Sequence, residues 1–213
     1  MRSIRIFTSV LLLLIAMFSA GCTKTWSVVF DDIQDILDWD SFALGDEPSS
    51  NVTPDGLVIN GMRIQAPYIF TGSCTMVVVF DMNCDMMNEI NEFAILLTNY
   101  LSDGEVLAFR LENFGDTFNQ SYTVVDNDEA VAYEYSTSVD IDTNWDGENE
   151  FVMKRDSGRL VLSINGEIFY DGVPVADYQD YAYPGFLVDI SGGSARITIK
   201  SITMKYDGEK VPV

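Results

Sequence analysis

Residues 159–172 read RLVLSINGEIFYDG, and this stretch decides the fold class. Leu160, Leu162 and Ile164 stand at every second position, which places them on one face of an extended strand. The pair Asn165-Gly166 follows, and Asn-Gly between two such runs is a strong signal for a two-residue hairpin turn. The segment is therefore predicted to form a β-hairpin that buries one face.

Short apolar runs and turn residues continue in both directions from this hairpin. The other runs predicted as strands are residues 57–59, 75–80, 93–98, 106–112, 121–125, 151–154, 186–190 and 195–206. Asp-Gly and Asn-Gly pairs lie between many of these runs, and the chain has no internal repeat or low-complexity linker. Many short strands at this spacing are typical of an all-β sandwich or barrel in one domain.

The last of these runs, residues 195–206, predicts a β-bulge. Ile197 and Ile199 share one face, whereas the apolar residues from Ile202 onward continue with the opposite parity. One extra residue near Lys200 would return all of them to the same face.

Residues 1–22, MRSIRIFTSVLLLLIAMFSAGC, have the order of an export signal: two arginines, an apolar run and then small residues. The apolar run is shorter than the roughly 20 residues that a membrane-spanning helix needs. Ser19-Ala20-Gly21-Cys22 resembles the lipobox of bacterial lipoproteins, although Ser19 stands where that family usually has leucine. The resemblance implies that Cys22 carries lipid and becomes the first residue after cleavage.

We therefore expect a protein of the bacterial cell envelope whose membrane partner is reached through lipid on Cys22. The outer membrane or the cell surface is favoured over the cytoplasmic membrane. The predicted organisation is a lipoprotein signal peptide at 1–21, a lipid-anchored tether at 22–25, a β-sandwich domain at 26–207 and a C-terminal tail at 208–213.

The chain is strongly acidic and contains no histidine. It has 33 acidic and 12 basic residues, and loss of residues 1–21 takes its formal net charge from −21 to −23. Nucleic-acid binding needs clustered basic residues that displace counterions from phosphate. Because the basic residues are scattered along the sequence, we predict no nucleic-acid partner.

Two cysteines, Cys74 and Cys84, remain once Cys22 is assigned to lipid. An extended run between them would separate them by about 30 Å, whereas a disulfide needs Cα atoms within about 7 Å. Either the chain folds back sharply before Cys84 or the two thiols are unpaired. We favour unpaired thiols.

Four segments together look like the concanavalin A-like lectin/glucanase superfamily, including laminin-G-like bacterial domains. They are VVFDDIQDILDWD (28–40), DGLVINGMRIQAP (55–67), the 159–172 hairpin, and FLVDI with ARITIKSITMKY (186–190 and 195–206). The resemblance covers nearly all of residues 26–207 and is a pattern of strands and turns. It implies a jelly-roll β-sandwich of two antiparallel sheets, one of which often curves around a glycan.

A calcium loop is one candidate site. Asp142, Asn144 and Asp146 place side-chain oxygens at alternate positions before Gly147, and Glu150 is a further candidate ligand. The segment after the glycine reads as a strand, which excludes a helix-loop-helix calcium site. The alternative is a solvated acidic turn. Calcium is the one cofactor that the sequence suggests.

A glycan site is the second candidate. Aromatic faces stack on sugar rings, and acidic or amide groups bond sugar hydroxyls. The candidate residues are Tyr178, Gln179, Asp180, Tyr181, Tyr183 and Trp145. The alternative is that these tyrosines pack on the sandwich and bond their hydroxyls locally.

Catalysis is disfavoured. The absence of histidine excludes Ser-His-Asp and Cys-His catalysis, and the Glu-x-Asp-x-x-Glu motif of the superfamily's glucanases is missing. Glu148 and Glu150 are the nearest acidic pair on one strand face. We therefore predict non-catalytic binding of a glycan or surface polymer. A glycoside-active enzyme of similar fold and a structural or assembly subunit of the envelope are the alternatives.

Overall fold

The hairpin that decides the fold class forms in the computed structural model. Its strands are Arg159–Ile164 and Glu167–Gly172. The turn residues Asn165 and Gly166 have φ angles of 50° and 83°, and two positive φ angles are what a turn matched to the twist of a hairpin requires. Leu160, Leu162 and Ile164 are buried, as their alternation predicts.

The structure describes residues 23–44, 48–83, 90–98, 107–114, 117–126, 129–134, 143–156, 159–172, 181–190 and 195–213, with the backbone alone for residues 98, 107–134 and 181. The described strands, in chain order, are β1 Lys24–Val29, β2 Asp40–Ala43, β3 Ser49–Thr53, β4 Gly56–Asn60, β5 Met62–Gln65, β6 Tyr68–Thr71, β7 Cys74–Asn83, β8 Ile90–Thr98, β9 Leu107–Phe114, β10 Thr117–Asp126, β11 Glu129–Glu134, β12 Asp146–Asp156, β13 Arg159–Ile164, β14 Glu167–Gly172, β15 Tyr181–Ile190, β16 Arg196–Tyr206 and β17 Lys210–Pro212. A short 3-10 helix spans Ile33–Ile36.

The strands form two antiparallel sheets. Sheet A has the order β14-β13-β12-β7-β16-β4-β3, and β1 also pairs with β16. Sheet B has the order β11-β10-β9-β8-β15-β5-β2, with β6 paired to β15 and β17 paired to β6. The all-β sandwich of two antiparallel sheets is therefore confirmed. Strands distant in sequence are neighbours in each sheet, for example β7 and β16 in sheet A and β5 and β15 in sheet B.

The main core lies between the two sheets and is rich in aromatic rings. Phe80 of sheet A packs against Phe93 of sheet B with ring centroids 5.1 Å apart. Trp39 stacks on Phe186 with centroids 6.0 Å apart. Each such ring contributes roughly 2 to 3 kcal/mol through burial, and the Phe80–Phe93 contact joins the two sheets face to face.

The predicted bulge is confirmed in β16, and Lys200 is the extra residue. Ile199 lies opposite Phe80 on β7, while Ser201 lies opposite the next residue, Val79. The carbonyl oxygen of Lys200 accepts a hydrogen bond from the backbone N–H of Phe30 at 2.9 Å. The bulge keeps the apolar residues on both sides of Lys200 in the core.

Both ends of the described chain take part in strand pairing. Lys24, the first residue of β1, lies opposite Tyr206 of β16. Residues Lys210–Pro212, which the sequence assigns to a tail, pair with β6. Cys22 lies outside the described residues. Among the residues that the structure describes, no helix has the length and apolarity needed to cross a bilayer.

The thiol of Cys74 is free and buried in β7, as predicted. Burial raises its pKa, while the nearby positive charge of Arg155 acts in the opposite direction. Cys84 lies outside the described residues.

Candidate functional site

Sheet B buries a second group of side chains on the face that points away from the core. Ala94, Leu96 and Leu187 are buried and form a cluster separate from the main core. Leu187 lies opposite Ala94, and Gly185 lies opposite Leu96, across β15 and β8. This face, called here the outer face of sheet B, therefore has an apolar floor, unlike a sheet face fully open to water.

The register of the sheet brings polar and aromatic residues next to this floor. Arg63 and Gln65 of β5 lie opposite Leu187 and Gly185 of β15. On the next strand, β2, Phe42 lies opposite Arg63, and Asp40 lies opposite Gln65. Residues directly opposite in an antiparallel pair share a face. All four side chains therefore belong to the outer face.

One hydrogen bond crosses this face from β15 to β2. The hydroxyl of Tyr183 donates to Oδ2 of Asp40 at 3.0 Å. Tyr183 and Gln65 are each only 5% exposed, whereas Asp40 is exposed. The bond fixes the position of the Asp40 carboxylate at the edge of the sheet.

Arg63 is the unusual member of this group. It is half-buried, and its Nε is buried without a hydrogen-bond partner among the described residues. Leaving a buried charged donor unbonded is costly. The ring of Phe42 beside it is 51% exposed. We call Phe42, Arg63, Asp40, Gln65 and Tyr183 the Phe42–Arg63 site.

Two acidic side chains are neighbours on the same face, farther along the strands. Glu92 of β8 lies opposite Asp189 of β15 and opposite Glu112 of β9. Glu92 and Asp189 are half-buried, and Oδ2 of Asp189 accepts a hydrogen bond from Nδ2 of Asn91 at 3.2 Å. Directly opposed residues have Cβ atoms roughly 5 Å apart, so Glu92 and Asp189 are neighbours.

The predicted glycan residues are only partly brought together. Tyr183 lies on the outer face of sheet B, where its hydroxyl is bonded locally and its ring is buried. Trp145 is half-buried and packs against the main core just before β12 of sheet A, so it does not join Tyr183 in one site. Only the backbone of Tyr181 is described, at the start of β15. Tyr178, Gln179 and Asp180 lie outside the described residues.

Hydrogen bonds of the Asn149 side-chain amide hold the predicted calcium loop in place. Asn149, which is 1% exposed, accepts a hydrogen bond from the N–H of Asn144 at 2.7 Å and donates to the carbonyl oxygens of Asn144 and Gly147 at 2.8 and 3.2 Å. The side-chain oxygen of Asn144 accepts from the N–H of Asp146 at 3.3 Å. The loop is thus held by its own polar groups.

Three of the four predicted calcium ligands, Asn144, Asp146 and Glu150, lie in the described part of the chain. Glu150 lies four residues beyond Asp146 on β12, about 13 Å along the strand, too far for both to bind one ion. No group of three or more acidic or cysteine side chains within the described residues could hold a metal. Asp142 lies outside those residues.

Glu148 and Glu150, the acidic pair considered for catalysis, share the exposed face of β12, as their alternation predicts. Glu148 lies opposite Asp81, and the carboxylates of Glu148 and Asp81 each bind Nζ of Lys200 at 2.8 Å. These bonds, the one to Asp81 first, raise the pKa of Lys200. The three residues form an ion-pair group on the outer face of sheet A.

The Phe42–Arg63 site could not be found from the local sequence. Its only local signal is the alternation of Asp40 and Phe42 with Ser41 and Ala43, which is too short to stand out. The site arises because β2, β5 and β15 become neighbours.

No family model and no curated protein sequence matches this chain. Solved structures do match. The Crh5 transglycosylase in complex with NAG has a TM-score of 0.61 at 16% identity, covering 85% of this chain and 84% of that one. The Emp47p carbohydrate recognition domain has a TM-score of 0.60 at 9% identity, covering 88% and 98%.

The VIP36 exoplasmic/lumenal domain in its Ca2+/Man2-bound form has a TM-score of 0.55 at 14% identity, covering 84% of this chain and 86% of that one. At these identities the likeness concerns the fold alone. The chain therefore has the concanavalin A-like β-sandwich fold, as its strand and turn pattern predicts.

Proposed function

We propose that this protein binds a carbohydrate at the Phe42–Arg63 site on the outer face of sheet B. The observation that carries the proposal is the exposed ring of Phe42 directly opposite Arg63, whose buried Nε has no acceptor among the described residues. A sugar ring can stack on the aromatic face while its hydroxyl or ring oxygens accept from the guanidinium. Asp40 supplies an acceptor for further hydroxyls.

Two features support a saccharide over other small molecules. The site combines one exposed ring with charged groups at the edge of sheet B, and two proteins of the same fold are described as a carbohydrate recognition domain and as a Man2-bound form. Tyr181, the first residue of β15, lies two positions before Tyr183 in the sequence. We propose that Tyr178, Gln179, Asp180 and Tyr181 extend the site.

The test is binding of the purified protein to a glycan array, followed by titration of each hit. Phe42→Ala and Arg63→Gln should each weaken binding about tenfold or more, because each removes a main contact worth about 1.4 kcal/mol or more. The matched controls are Ile168→Ala, an apolar residue that is 59% exposed on sheet A, and Arg196→Gln, an exposed cation of β16. Unchanged binding in both site variants contradicts the proposal.

The extension of the site has its own test. The double variant Tyr178→Ala/Tyr181→Ala should lose array signal without a lower melting temperature. An unchanged array removes these tyrosines from the site and leaves the Phe42–Arg63 contacts to be judged by their own variants.

We also propose that Cys22 is lipidated and holds the protein at the cell envelope, at the outer membrane or cell surface. The support is the order of charges, apolar run and small residues ahead of Cys22. Several acyl chains are needed for stable anchoring, because a single chain binds only marginally. Incorporation of labelled palmitate that Cys22→Ser abolishes is the expected result, and equal label in both forms contradicts it.

A glycoside-active enzyme is the second candidate function. The observation that favours it is the opposition of Glu92 and Asp189 on the outer face of sheet B, because retaining glycosidases hold two carboxyl groups about 5 to 5.5 Å apart. An enzyme of this kind would release or transfer sugar from any glycan that the protein binds on the array. Glu92→Gln would then abolish turnover and keep binding, whereas the proposed binding protein shows no turnover in either form.

A further inference from the structure

The charge on sheet A is distributed unevenly along its strands. Of the ten basic residues that follow the signal segment, five lie at the end of sheet A where β1 begins: Lys24, Lys154, Arg155, Arg159 and Lys205. The opposite end carries the acidic residues Asp81, Asp146, Glu148, Glu150 and Glu167 with two cations, Arg196 and Lys200. Asp156, Asp171 and Asp207 also lie at the first end, so five cations outnumber three acidic residues there. This basic end is an exception in a strongly acidic protein.

Two of these lysines flank a threonine in register. Lys154 of β12 lies opposite Thr75 of β7, which lies opposite Lys205 of β16, and Lys205 lies opposite Thr25 of β1. Adjacent strands are 4.7 to 4.9 Å apart, so the two lysine Cα atoms are about 10 Å apart with Thr75 between them. Both lysines are exposed, and neither forms an ion pair with a described residue.

This row borders a cavity beside the start of β1. The cavity has a volume of about 180 Å³, and Thr23, Thr75, Lys154 and Lys205 are among its lining residues. Asp156 and Asp207 also line it, and Oδ1 of Asp156 accepts a hydrogen bond from Oγ of Ser73 at 3.2 Å. Thr23 directly follows Cys22 in the sequence, so the row lies at the end of the protein where the proposed anchor would begin.

We propose that the Lys154–Thr75–Lys205 row binds the phosphate of an anionic lipid headgroup in the membrane that holds Cys22. This inference rests on the proposed lipid anchor. Two ammonium groups on either side of a hydroxyl supply hydrogen-bond donors for the oxygens of an anionic phosphate diester. Each lysine near an anionic bilayer strengthens binding by about fivefold.

The acidic far end of sheet A does not cancel this attraction. Lys154 and Asp146 are eight residues apart on β12, about 26 Å along the strand. Charges are screened over about 8 Å at physiological ionic strength. An anionic surface therefore attracts the basic end, and the row orients the sandwich with this end towards the bilayer.

The direct test is an NMR titration of the full-length lipidated protein in neutral detergent micelles. Dihexanoyl phosphatidylglycerol should shift the amide resonances of Thr75 and Lys205 saturably, and dihexanoyl phosphatidylcholine should not. The double variant Lys154→Gln/Lys205→Gln should weaken the phosphatidylglycerol effect by about 25-fold, from two losses of about fivefold each. The charge-matched control Arg196→Gln/Lys200→Gln, which removes two cations at the opposite end of sheet A, should retain it.

Three results would overturn the inference. Equal shifts with both lipids exclude headgroup recognition, and an equal loss in the control variant reduces the effect to net charge. Saturation by inorganic phosphate with no response to phosphatidylglycerol assigns the row to free phosphate instead.

Orientation on a bilayer gives a second readout. On supported phosphatidylcholine bilayers, addition of phosphatidylglycerol should change the infrared dichroism of the β-sheet amide band, and high salt or the double lysine variant should reverse the change. Dichroism that does not respond to phosphatidylglycerol contradicts the orienting role. Loss of the protein from every bilayer on washing contradicts the anchor itself, and with it the membrane as the source of the phosphate.

Discussion

The hydroxyl of Tyr183 donates a hydrogen bond to the carboxylate of Asp40 at 3.0 Å, although 143 positions separate the two residues in the sequence. The bond spans from β15 to β2 across Gln65 of the intervening strand β5. It joins the edge strand that carries Phe42 to the middle of sheet B. The proposed sugar-binding surface therefore depends on a contact between remote parts of the chain.

Tyr183→Phe should lower the free energy of unfolding by about 1 kcal/mol, because it removes one hydrogen bond and leaves an exposed carboxylate that water can solvate. Urea unfolding of the single variants Tyr183→Phe and Asp40→Ala and of the double variant measures this. The double variant should lose less free energy of unfolding than the two single variants lose in total. Additive losses would show that the bond contributes nothing to stability.

Asn149→Ala should lower the free energy of unfolding by about 2 to 3 kcal/mol, more than Tyr183→Phe does. The substitution leaves the buried polar groups that are hydrogen-bonded to this amide without partners. Besides its bonds to Asn144 and Gly147, Asn149 accepts a hydrogen bond from Nδ2 of the turn residue Asn165 at 3.0 Å. Asn51→Ala, at an exposed position of β3, is the control and should change stability little. Equal midpoints in urea for the two variants would refute the role of Asn149.

Lys200 should stabilise the fold at neutral pH and cease to do so in strong alkali. Its folded pKa is raised by the bonds to Asp81 and Glu148, so the stabilisation is fully present below the unfolded lysine pKa of about 10.4 and is lost as the pH rises through the raised folded value. Lys200→Met should cost about 1 kcal/mol at neutral pH, because the ion pairs are partly exposed.

Thermal melts across this pH range measure the effect. The difference between the wild type and Lys200→Met should shrink above about pH 10.4. Lys205→Met, which loses no ion pair with a described residue, is the control. A difference that does not vary with pH would assign the effect of Lys200 to the bulge and not to its charge.

The Cys74 thiol should resist alkylation in the native protein. It is 4% exposed, and burial raises its pKa, so little thiolate is available to react at neutral pH. Iodoacetamide should label Cys74 only after denaturation, without a reducing agent, as mass spectrometry of the peptides would show. A Cys74 that stays unlabelled until it is reduced would demonstrate a disulfide.

Calcium should leave the melting temperature unchanged. The loop around Asn144 is already organised by the hydrogen bonds of Asn149, and Glu150 is too far from Asp146 to share an ion with it. Melts in calcium and in chelator provide the comparison. A rise of several degrees in calcium that Asp146→Asn abolishes would establish the calcium loop predicted from Asp142, Asn144 and Asp146.

The sequence by itself determined most of the long strands, the Asn165-Gly166 turn, the bulge at Lys200 and the buried faces of β13 and β16, whereas the short strands β1, β2, β3, β5, β6, β11 and β17 were not predicted. The features that it determined are local, because alternation along a strand and turn chemistry are set by residues a few positions apart. The parity change between Ile199 and Ile202, for instance, is visible without knowledge of any partner strand.

Only the tertiary structure decided which side chains meet. Phe42, Arg63 and Tyr183 share a surface because β2, β5 and β15 are neighbours, and Lys154 and Lys205 flank Thr75 because β7 lies between β12 and β16. A shift of one residue in the register would turn each of these side chains to the opposite face. Register between remote strands is fixed by packing of the whole core, which no short stretch of sequence contains.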